Sequence, residues 1–172
     1  MYYGTLNELD GGRWQLRFTR TLPHPIETVW QAVTEPEHLA NWFPTTIEGA
    51  REAGAALRFT LPEGQGPPFD GEMLAFRPPT LMEFRWGTDI VRLELQPSDT
   101  GTVLTLLDTL DDRGKGARDG AGWHACLDAL ERELQGDPAA RDAMNRWSEV
   151  ATHYIESFGP EAATIGPPEG MS

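Results

Sequence analysis

The central part of the chain is a series of short strand-like runs separated by turn residues, and this feature constrains the fold most strongly. Between residues 45 and 111 six runs have the residue types or the alternation typical of strands. Glycine- and proline-containing segments separate them. Short turns join antiparallel neighbours, whereas parallel strands need long crossovers, so the series predicts an antiparallel sheet. The six runs are Thr45–Glu48, Ala56–Leu61, Phe69–Phe76, Thr80–Trp86, Ile90–Gln96 and Thr102–Thr109.

The residues before this series predict a seventh strand and two short helices. In Arg13–Thr21 apolar residues alternate with polar ones, which indicates a strand with one buried face. A proline then opens a stretch in which apolar residues recur at helical spacing as far as Val33. A second short helix carries Trp42 and Phe43 and ends at Pro44.

The residues after the series predict one long helix. Trp123, Leu127, Leu130 and Leu134 lie on one helical face, and Gly136 ends the helix. A seven-stranded antiparallel sheet and one amphipathic helix bury both apolar faces when the sheet wraps around the helix, so the fold class is α+β.

A further amphipathic helix is predicted over Asp137–Phe158. Its apolar stripe contains Met144, Trp147, Tyr154 and Phe158, which have to be buried. The helix therefore either packs on its own domain or forms a homodimer interface.

These elements divide the chain into four parts. Residues 1–12 form an N-terminal arm, residues 13–136 the main domain, and residues 137–159 the additional helix. Residues 160–172 are rich in proline and glycine, and we expect a disordered tail there.

Charge and composition exclude several classes of partner. Fourteen Lys and Arg residues against 27 Asp and Glu residues give a net charge of −13, which repels nucleic acid and anionic membranes. No apolar run has the roughly 18 residues that membrane insertion requires, and the polar start predicts no signal peptide. The single cysteine, Cys126, cannot form an internal disulfide, which fits a cytoplasmic protein.

Four segments together resemble a known family. They are TLPHPIETVWQAVTEPEHLANWF, FDGEMLAFRPPTLMEFRW, GTVLTLLDT and GWHACLDALERELQG. They are similar to the SRPBCC superfamily, which is START-related and birch-pollen-allergen-like, and within it to the branch named for the activator of heat-shock-protein-90 ATPase homologue. The resemblance covers about Trp14 to Leu134. It implies a helix-grip fold with a hydrophobic cavity between a curved sheet and the long helix.

The candidate lining of this cavity consists of aromatic and aliphatic residues on the predicted sheet and helices. Such pockets combine apolar walls with a few polar groups, but large rings also fill ordinary cores. The candidates are Trp42, Phe43, Phe59, Phe69, Met73, Phe84, Trp86, Leu104, Leu106, Asp108, Trp123 and Leu127.

Asp108 and His124 are the candidates for chemistry. Asp108 shares a strand face with Leu104 and Leu106, so it either points into the cavity or lies at the strand end in solvent. His124 follows Trp123 and either pairs with Asp108 as an acid and base or lies at the edge of the core.

The four histidines show no paired ligand spacing, so we predict neither a metal site nor a cofactor. The segment EGQGPPFDG lacks the Lys-Ser/Thr of a P-loop and is either a flap at the cavity mouth or a simple loop.

Three functional classes remain open. The first is non-catalytic binding of a small lipid-like or polyketide-like molecule. The second is a polyketide cyclase- or dehydratase-like enzyme that uses Asp108 and His124. The third is an interaction module resembling a chaperone cofactor, which would expose a large apolar patch.

Overall fold

The computed structural model describes residues 3–166, which form one curved antiparallel sheet, four α-helices and three short 3₁₀ helices. The strands are β1 (Thr5–Glu8), β2 (Trp14–Leu22), β3 (Ala56–Phe59), β4 (Phe69–Arg77), β5 (Leu81–Trp86), β6 (Asp89–Ser98) and β7 (Gly101–Leu110). The α-helices are α1 (Ile26–Thr34), α2 (Pro36–Leu39), α3 (Gly116–Leu134) and α4 (Trp147–Phe158). The 3₁₀ helices are Arg113–Lys115, Ala140–Arg146 and Pro160–Ala162.

The sheet confirms the predicted architecture. Its strand order is β1-β2-β7-β6-β5-β4-β3, and every neighbouring pair is antiparallel. The alternating faces of β2, β6 and β7 are buried against α3, where they form one continuous hydrophobic core. The chain therefore has the α+β helix-grip fold that the sequence predicts, with the sheet wrapped around the long helix.

One of the seven predicted strands is not formed. A strand that was not predicted completes the seven-stranded sheet. Residues 45–48 form only an isolated bridge between Glu48 and Arg58. Gly49, whose φ is 141°, follows directly and interrupts regular pairing. The seventh strand is β1, in the segment predicted to be an N-terminal arm, and it pairs with β2.

Two helix boundaries also differ from the prediction. Helix α2 ends at Leu39, so Trp42 and Phe43 lie in the turn that follows it. Helix α3 begins at Gly116, inside the glycine-containing segment expected to be a loop. Asp112 caps the preceding 3₁₀ helix by accepting a hydrogen bond from the Gly114 amide at 2.8 Å. This 3₁₀ helix leads directly into α3.

The expected helix over residues 137–158 is divided into the Ala140–Arg146 3₁₀ helix and α4. Both pack against α3 of the same chain. The Trp147 indole donates to the Arg118 carbonyl at 3.1 Å, and Tyr154 is completely buried. This apolar stripe is thus covered within the chain.

The expected disordered tail is described only as far as Gly166. Residues 160–162 form a 3₁₀ helix in which Ala162 is buried, and the Ile165 amide donates to the Gly114 carbonyl at 3.1 Å. Disorder is therefore not observed in residues 160–166, and residues 167–172 lie outside the described part. Across the described range, no helix is both long and apolar enough to cross a bilayer.

Gly71 and Gly122 provide a test of this packing. A methyl group at Gly71 would overlap the Arg85 carbonyl oxygen and the Phe59 ring, whereas one at Gly122 has Trp147 as its nearest neighbour, at 3.8 Å. We expect Gly71→Ala to lower the free energy of unfolding by about 2 to 3 kcal/mol through overpacking. We expect the matched Gly122→Ala to raise it by about 0.5 to 1 kcal/mol because alanine favours the helix. Urea denaturation measures both values, and equal effects would contradict the described strand and helix packing.

Candidate functional site

Six aromatic side chains occupy the space between the sheet and α3, and we call them the aromatic cluster. Their rings contact one another with centroid separations that include 5.4 Å for Trp86–Trp123 and 5.2 Å for Phe59–Phe69. Most pairs are tilted or edge-on, the arrangement that aromatic quadrupoles favour. The members are Phe43 after α2, Phe59 on β3, Phe69 on β4, Phe84 and Trp86 on β5, and Trp123 on α3.

The other apolar residues predicted to line a cavity belong to the surrounding core. Trp42 is turned towards α1, where its indole donates to the Ala32 carbonyl at 2.8 Å. Met73, Leu104, Leu106 and Leu127 are buried in the core that adjoins the aromatic cluster. The rings and these side chains pack together in one hydrophobic core between the sheet and α3.

Asp108 on β7 points into the interior beside Trp123 and not into solvent. It has no exposed surface, and its Oδ2 accepts a hydrogen bond from the Trp123 indole at 2.8 Å. Its Oδ1 has no hydrogen-bond donor among the described residues. Buried polar atoms are nearly always paired, so this oxygen is unusual.

Two further aspartates approach Asp108, and we call Asp89, Asp108 and Asp119 the carboxyl cluster. One oxygen of each lies within 4.8 Å of the others. Lys115 Nζ is 2.7 Å from Asp89 Oδ1, and Arg118 Nε is 2.7 Å from Asp119 Oδ1. Strands β6 and β7, the 3₁₀ helix Arg113–Lys115 and the first turn of α3 thus bring three acids and two cations together.

Burial dominates the electrostatics of this cluster. Loss of hydration raises the pKa of Asp108 well above its usual range, and the Asp89 and Asp119 carboxylates raise it further. The Trp123 hydrogen bond opposes this shift. Burial also raises the pKa of Asp119, while Arg118 lowers it. Asp108 is accordingly held as a neutral acid, whose proton can be donated to the Asp89 carboxylate.

His124 belongs to a different network on the other side of α3. The Gly4 amide donates to the Tyr154 hydroxyl at 2.9 Å, and this oxygen lies 2.8 Å from His124 Nδ1. Burial lowers the pKa of His124, although Asp128 opposes that shift. With its proton on Nε2, which is 3.6 Å from Asp128 Oδ2, neutral His124 can accept a hydrogen bond from the Tyr154 hydroxyl at Nδ1.

The alternative in which Asp108 and His124 form an acid–base pair is therefore not supported. Adjacent helical residues point about 100° apart, so Trp123 faces β7 while His124 faces α4. The two side chains have separate hydrogen-bond partners and do not line a common space.

An open cavity of about 600 Å³, which we call the outer cleft, lies on the His124 side of α3. Arg20, which is buried, spans its floor by contacting Asp128 at 3.0 Å and Glu131 at 2.8 Å. No sequence pattern pointed to this cleft. The lining residues are Tyr3, Arg20, His124, Asp128, Glu131, Arg132, Gln135, Arg146, Glu149 and Val150.

Cys126 lies in the core and has no exposed reactive surface. Burial raises the pKa of its thiol to about 12, so the reactive thiolate is rare at neutral pH. Its position is that of a small core residue.

Sequence-family and structure comparisons support the fold assignment. The model of the family described as "Activator of Hsp90 ATPase homolog 1-like protein" matches residues 23–135. No curated protein matches the sequence.

Similar solved structures come from several bacteria. CalU16 from Micromonospora echinospora has 22% identity and a TM-score of 0.69, with 92% of this chain and 97% of CalU16 covered. A conserved protein of unknown function from Enterococcus faecalis has 21% identity and a TM-score of 0.72, with 89% and 88% covered. DynU16, from the dynemicin biosynthetic locus, has 30% identity and a TM-score of 0.64, with 74% of this chain and 49% of DynU16 covered. The chain thus spans about half the length of DynU16.

Asp108→Asn tests whether the buried acid is neutral. The pKa of Asp108 is raised on folding, so its stabilising effect is complete below the ordinary value of 3.8 and is lost as pH rises through the raised value. We expect the free energy of unfolding of the wild type to fall by more than about 1 kcal/mol as pH rises over this range. Urea denaturation in the presence of EDTA, which removes bound metal ions, measures this value. Asp108→Asn should remove this dependence and leave the protein at least as stable at pH 8.

Asp111→Asn is the matched control for this experiment. A hydrogen bond from Lys115 lowers the pKa of Asp111, so the contribution of Asp111 is lost as pH falls, in the opposite direction. If Asp108→Asn lowered stability equally at every pH, Asp108 would be a charged partner and not a neutral acid.

Proposed function

Because the chain belongs to the family of activator of Hsp90 ATPase homolog 1-like proteins, in the SRPBCC superfamily, we propose that it binds a small hydrophobic molecule between the curved sheet and α3. The proposal involves binding without catalysis. The observation that carries it is the aromatic cluster, which places six rings in one region between the sheet and the long helix. Aromatic and aliphatic walls with a few polar groups are typical of sites for apolar ligands.

The edge of the aromatic cluster supplies a route for the ligand. Phe69 and Trp86 are half-buried, whereas Phe59 and Phe84 are completely buried. The Trp86 indole donates to Thr45 Oγ1 at 3.2 Å, a single bond that holds the ring at the surface. In this proposal Trp86 moves outwards and the ligand takes over its contacts with Phe43 and Trp123.

The adjoining loop can accommodate that movement. Residues 63–68 are exposed, and Gly64 and Gly66 adopt positive φ angles of 82° and 136°. An exposed loop with few buried contacts opens at low cost in free energy. We assign this loop as a flap over the site.

Two observations favour binding over the alternatives. Asp108 and His124 lie on different sides of α3 with separate hydrogen-bond partners, which disfavours an acid–base pair of a cyclase-like or dehydratase-like enzyme. Among residues 3–166, the exposed large hydrophobic side chains are Tyr3, Leu74 and Ile155, which lie on three different segments. Such scattered residues do not resemble the large apolar patch of a chaperone-cofactor-like interaction module.

The buried and unpaired Cys126 supports a location in the reducing cytoplasm, which is part of this proposal. A polyketide-like molecule is one candidate ligand class and a lipid-like molecule is the other. DynU16 lies in the dynemicin biosynthetic locus, which gives a reason to include aromatic polyketide-like probes.

Trp86→Ala tests the site directly. We would titrate the full chain with a hydroxyanthraquinone and with a saturated fatty acid, and measure tryptophan fluorescence and 1:1 adducts by native mass spectrometry. At least one probe should bind with a stoichiometry of one. Removing the Trp86 ring should lower the affinity for that probe by about 10-fold or more, because a large apolar contact is lost.

Trp30→Ala is the matched control, because Trp30 is also half-buried but contacts Phe76 outside the aromatic cluster. Its effect on affinity should be less than about 3-fold, or about 0.6 kcal/mol. The absence of saturable binding for both probes, together with a ligand-free mass for protein purified from its own host, would refute the proposed function. An equal loss of probe affinity in Trp86→Ala and Trp30→Ala would show that the ligand binds elsewhere.

A further inference from the structure

The carboxyl cluster has the geometry of a cation site, and its three acids come from different elements. Asp89 begins β6, Asp108 is near the end of β7, and Asp119 lies in the first turn of α3. Strands β6 and β7 are neighbours, and Val91 on β6 pairs with Asp108. The sheet and the helix therefore fix the carboxylates independently, and one oxygen of each lies within 4.8 Å of the others.

A donor holds one oxygen of each carboxylate. Lys115 contacts Asp89 Oδ1, Arg118 contacts Asp119 Oδ1, and the Trp123 indole donates to Asp108 Oδ2. Such bonds orient ligating carboxylates in metal sites. Of the remaining carboxylate oxygens, Asp108 Oδ1 has no donor among residues 3–166.

Asp108 Oδ1 is the independent sign that a ligand is missing from these contacts. It belongs to a side chain with no exposed surface, and it has no hydrogen-bond donor in the described part of the chain. A buried oxygen that lost its hydration without gaining a partner costs free energy. A cation beside Asp89 and Asp119 would satisfy it in place of the proton that neutral Asp108 shares with Asp89.

The charges of the cluster agree with this assignment. Three carboxylates face two cations, Lys115 and Arg118, and Lys115 is also shared with Asp111. When Asp111 is counted, four carboxylates face two cations, and one divalent cation would compensate this excess. A proton on Asp108 meets part of this need, but a divalent cation would contact all three acids at once.

We propose that Asp89, Asp108 and Asp119 bind one divalent cation of the oxygen-preferring class, Ca²⁺ or Mn²⁺, together with water. Ca²⁺–oxygen distances of about 2.3 to 2.6 Å allow oxygens on opposite sides of the ion to be about 5 Å apart, which accommodates the observed spacing. Mg²⁺ fits less well because it gives up its water reluctantly and demands near-ideal octahedral geometry. The ligand set contains neither cysteine nor histidine, which disfavours Zn²⁺.

This inference does not rest on the proposed function, although Trp123 links the two places. The same indole contacts Asp108 and packs against Phe43 and Trp86. An ion bound by Asp108 would lie close to an aromatic energy donor. Tb³⁺, which replaces Ca²⁺ at oxygen sites, is therefore a suitable probe of the full chain.

The experiment measures Tb³⁺ luminescence excited through tryptophan after the protein has been treated with EDTA. We expect saturable emission with one site per chain, and displacement of Tb³⁺ by Ca²⁺ and Mn²⁺ at lower concentrations than by Mg²⁺. Asp108→Asn and Asp119→Asn should each weaken Tb³⁺ binding at least 10-fold. Far-UV circular dichroism verifies that the variants are folded.

Asp111→Asn controls for nonspecific attraction by the net charge of −13. Asp111 is more exposed and contacts the same Lys115, but it lies outside the carboxyl cluster, so the affinity of this variant should change by less than 3-fold. An equal loss of Tb³⁺ affinity in all three variants, or emission that does not saturate, would overturn the proposed cation site. Neither result would affect the ligand titrations with Trp86→Ala, so the two proposals fail separately.

Discussion

The burial of α3 on two sides is the constraint on which the rest of the structure depends. The concave face of the sheet covers one side, and α4 with the Ala140–Arg146 3₁₀ helix covers the other. Small residues make this close packing practicable, since a methyl group at Gly120 would already lie 3.1 Å from the rings of Tyr154 and Phe158. Neighbouring residues of one helix consequently belong to different environments. Trp123 is part of the interior, whereas His124 is part of the network that joins α4 to the N-terminal segment.

The same packing places polar groups where burial controls their chemistry. Asp108 lies beside aromatic rings, and this position excludes an ordinary solvated carboxylate. The 3₁₀ helix before α3 provides Lys115, and α3 provides Arg118 and Trp123, as partners for the three acids. One end of the interior is thereby both aromatic and acidic. An apolar ligand and a cation would occupy adjacent regions that share the Trp123 indole.

The sequence predicted the fold well where periodicity reflects burial directly. Strands β2 and β4 to β7, helix α1 and the apolar face of α3 were recognisable because each buries one regular face. The errors lie at short elements with weak patterns. Strand β1 is an edge strand of four residues with no fully buried side chain, and its pairing with β2 is what gives it regular structure. The early start of α3 was hidden by glycines, which favour loops until tertiary contacts bury them.

The sequence by itself determined that the chain forms an antiparallel sheet around an amphipathic helix, and it identified the rings and the aspartate of the interior, because apolar periodicity is a local property of the chain. Only the tertiary structure decided how these groups meet. Asp89, Lys115 and Asp119 are distant from Asp108 in the sequence or lie on segments expected to be loops, so no local pattern could join them. The separation of His124 from Asp108 likewise follows from the rotation of α3 against the sheet. Register and rotation are set by packing across the whole domain, and spacing along the chain does not contain them.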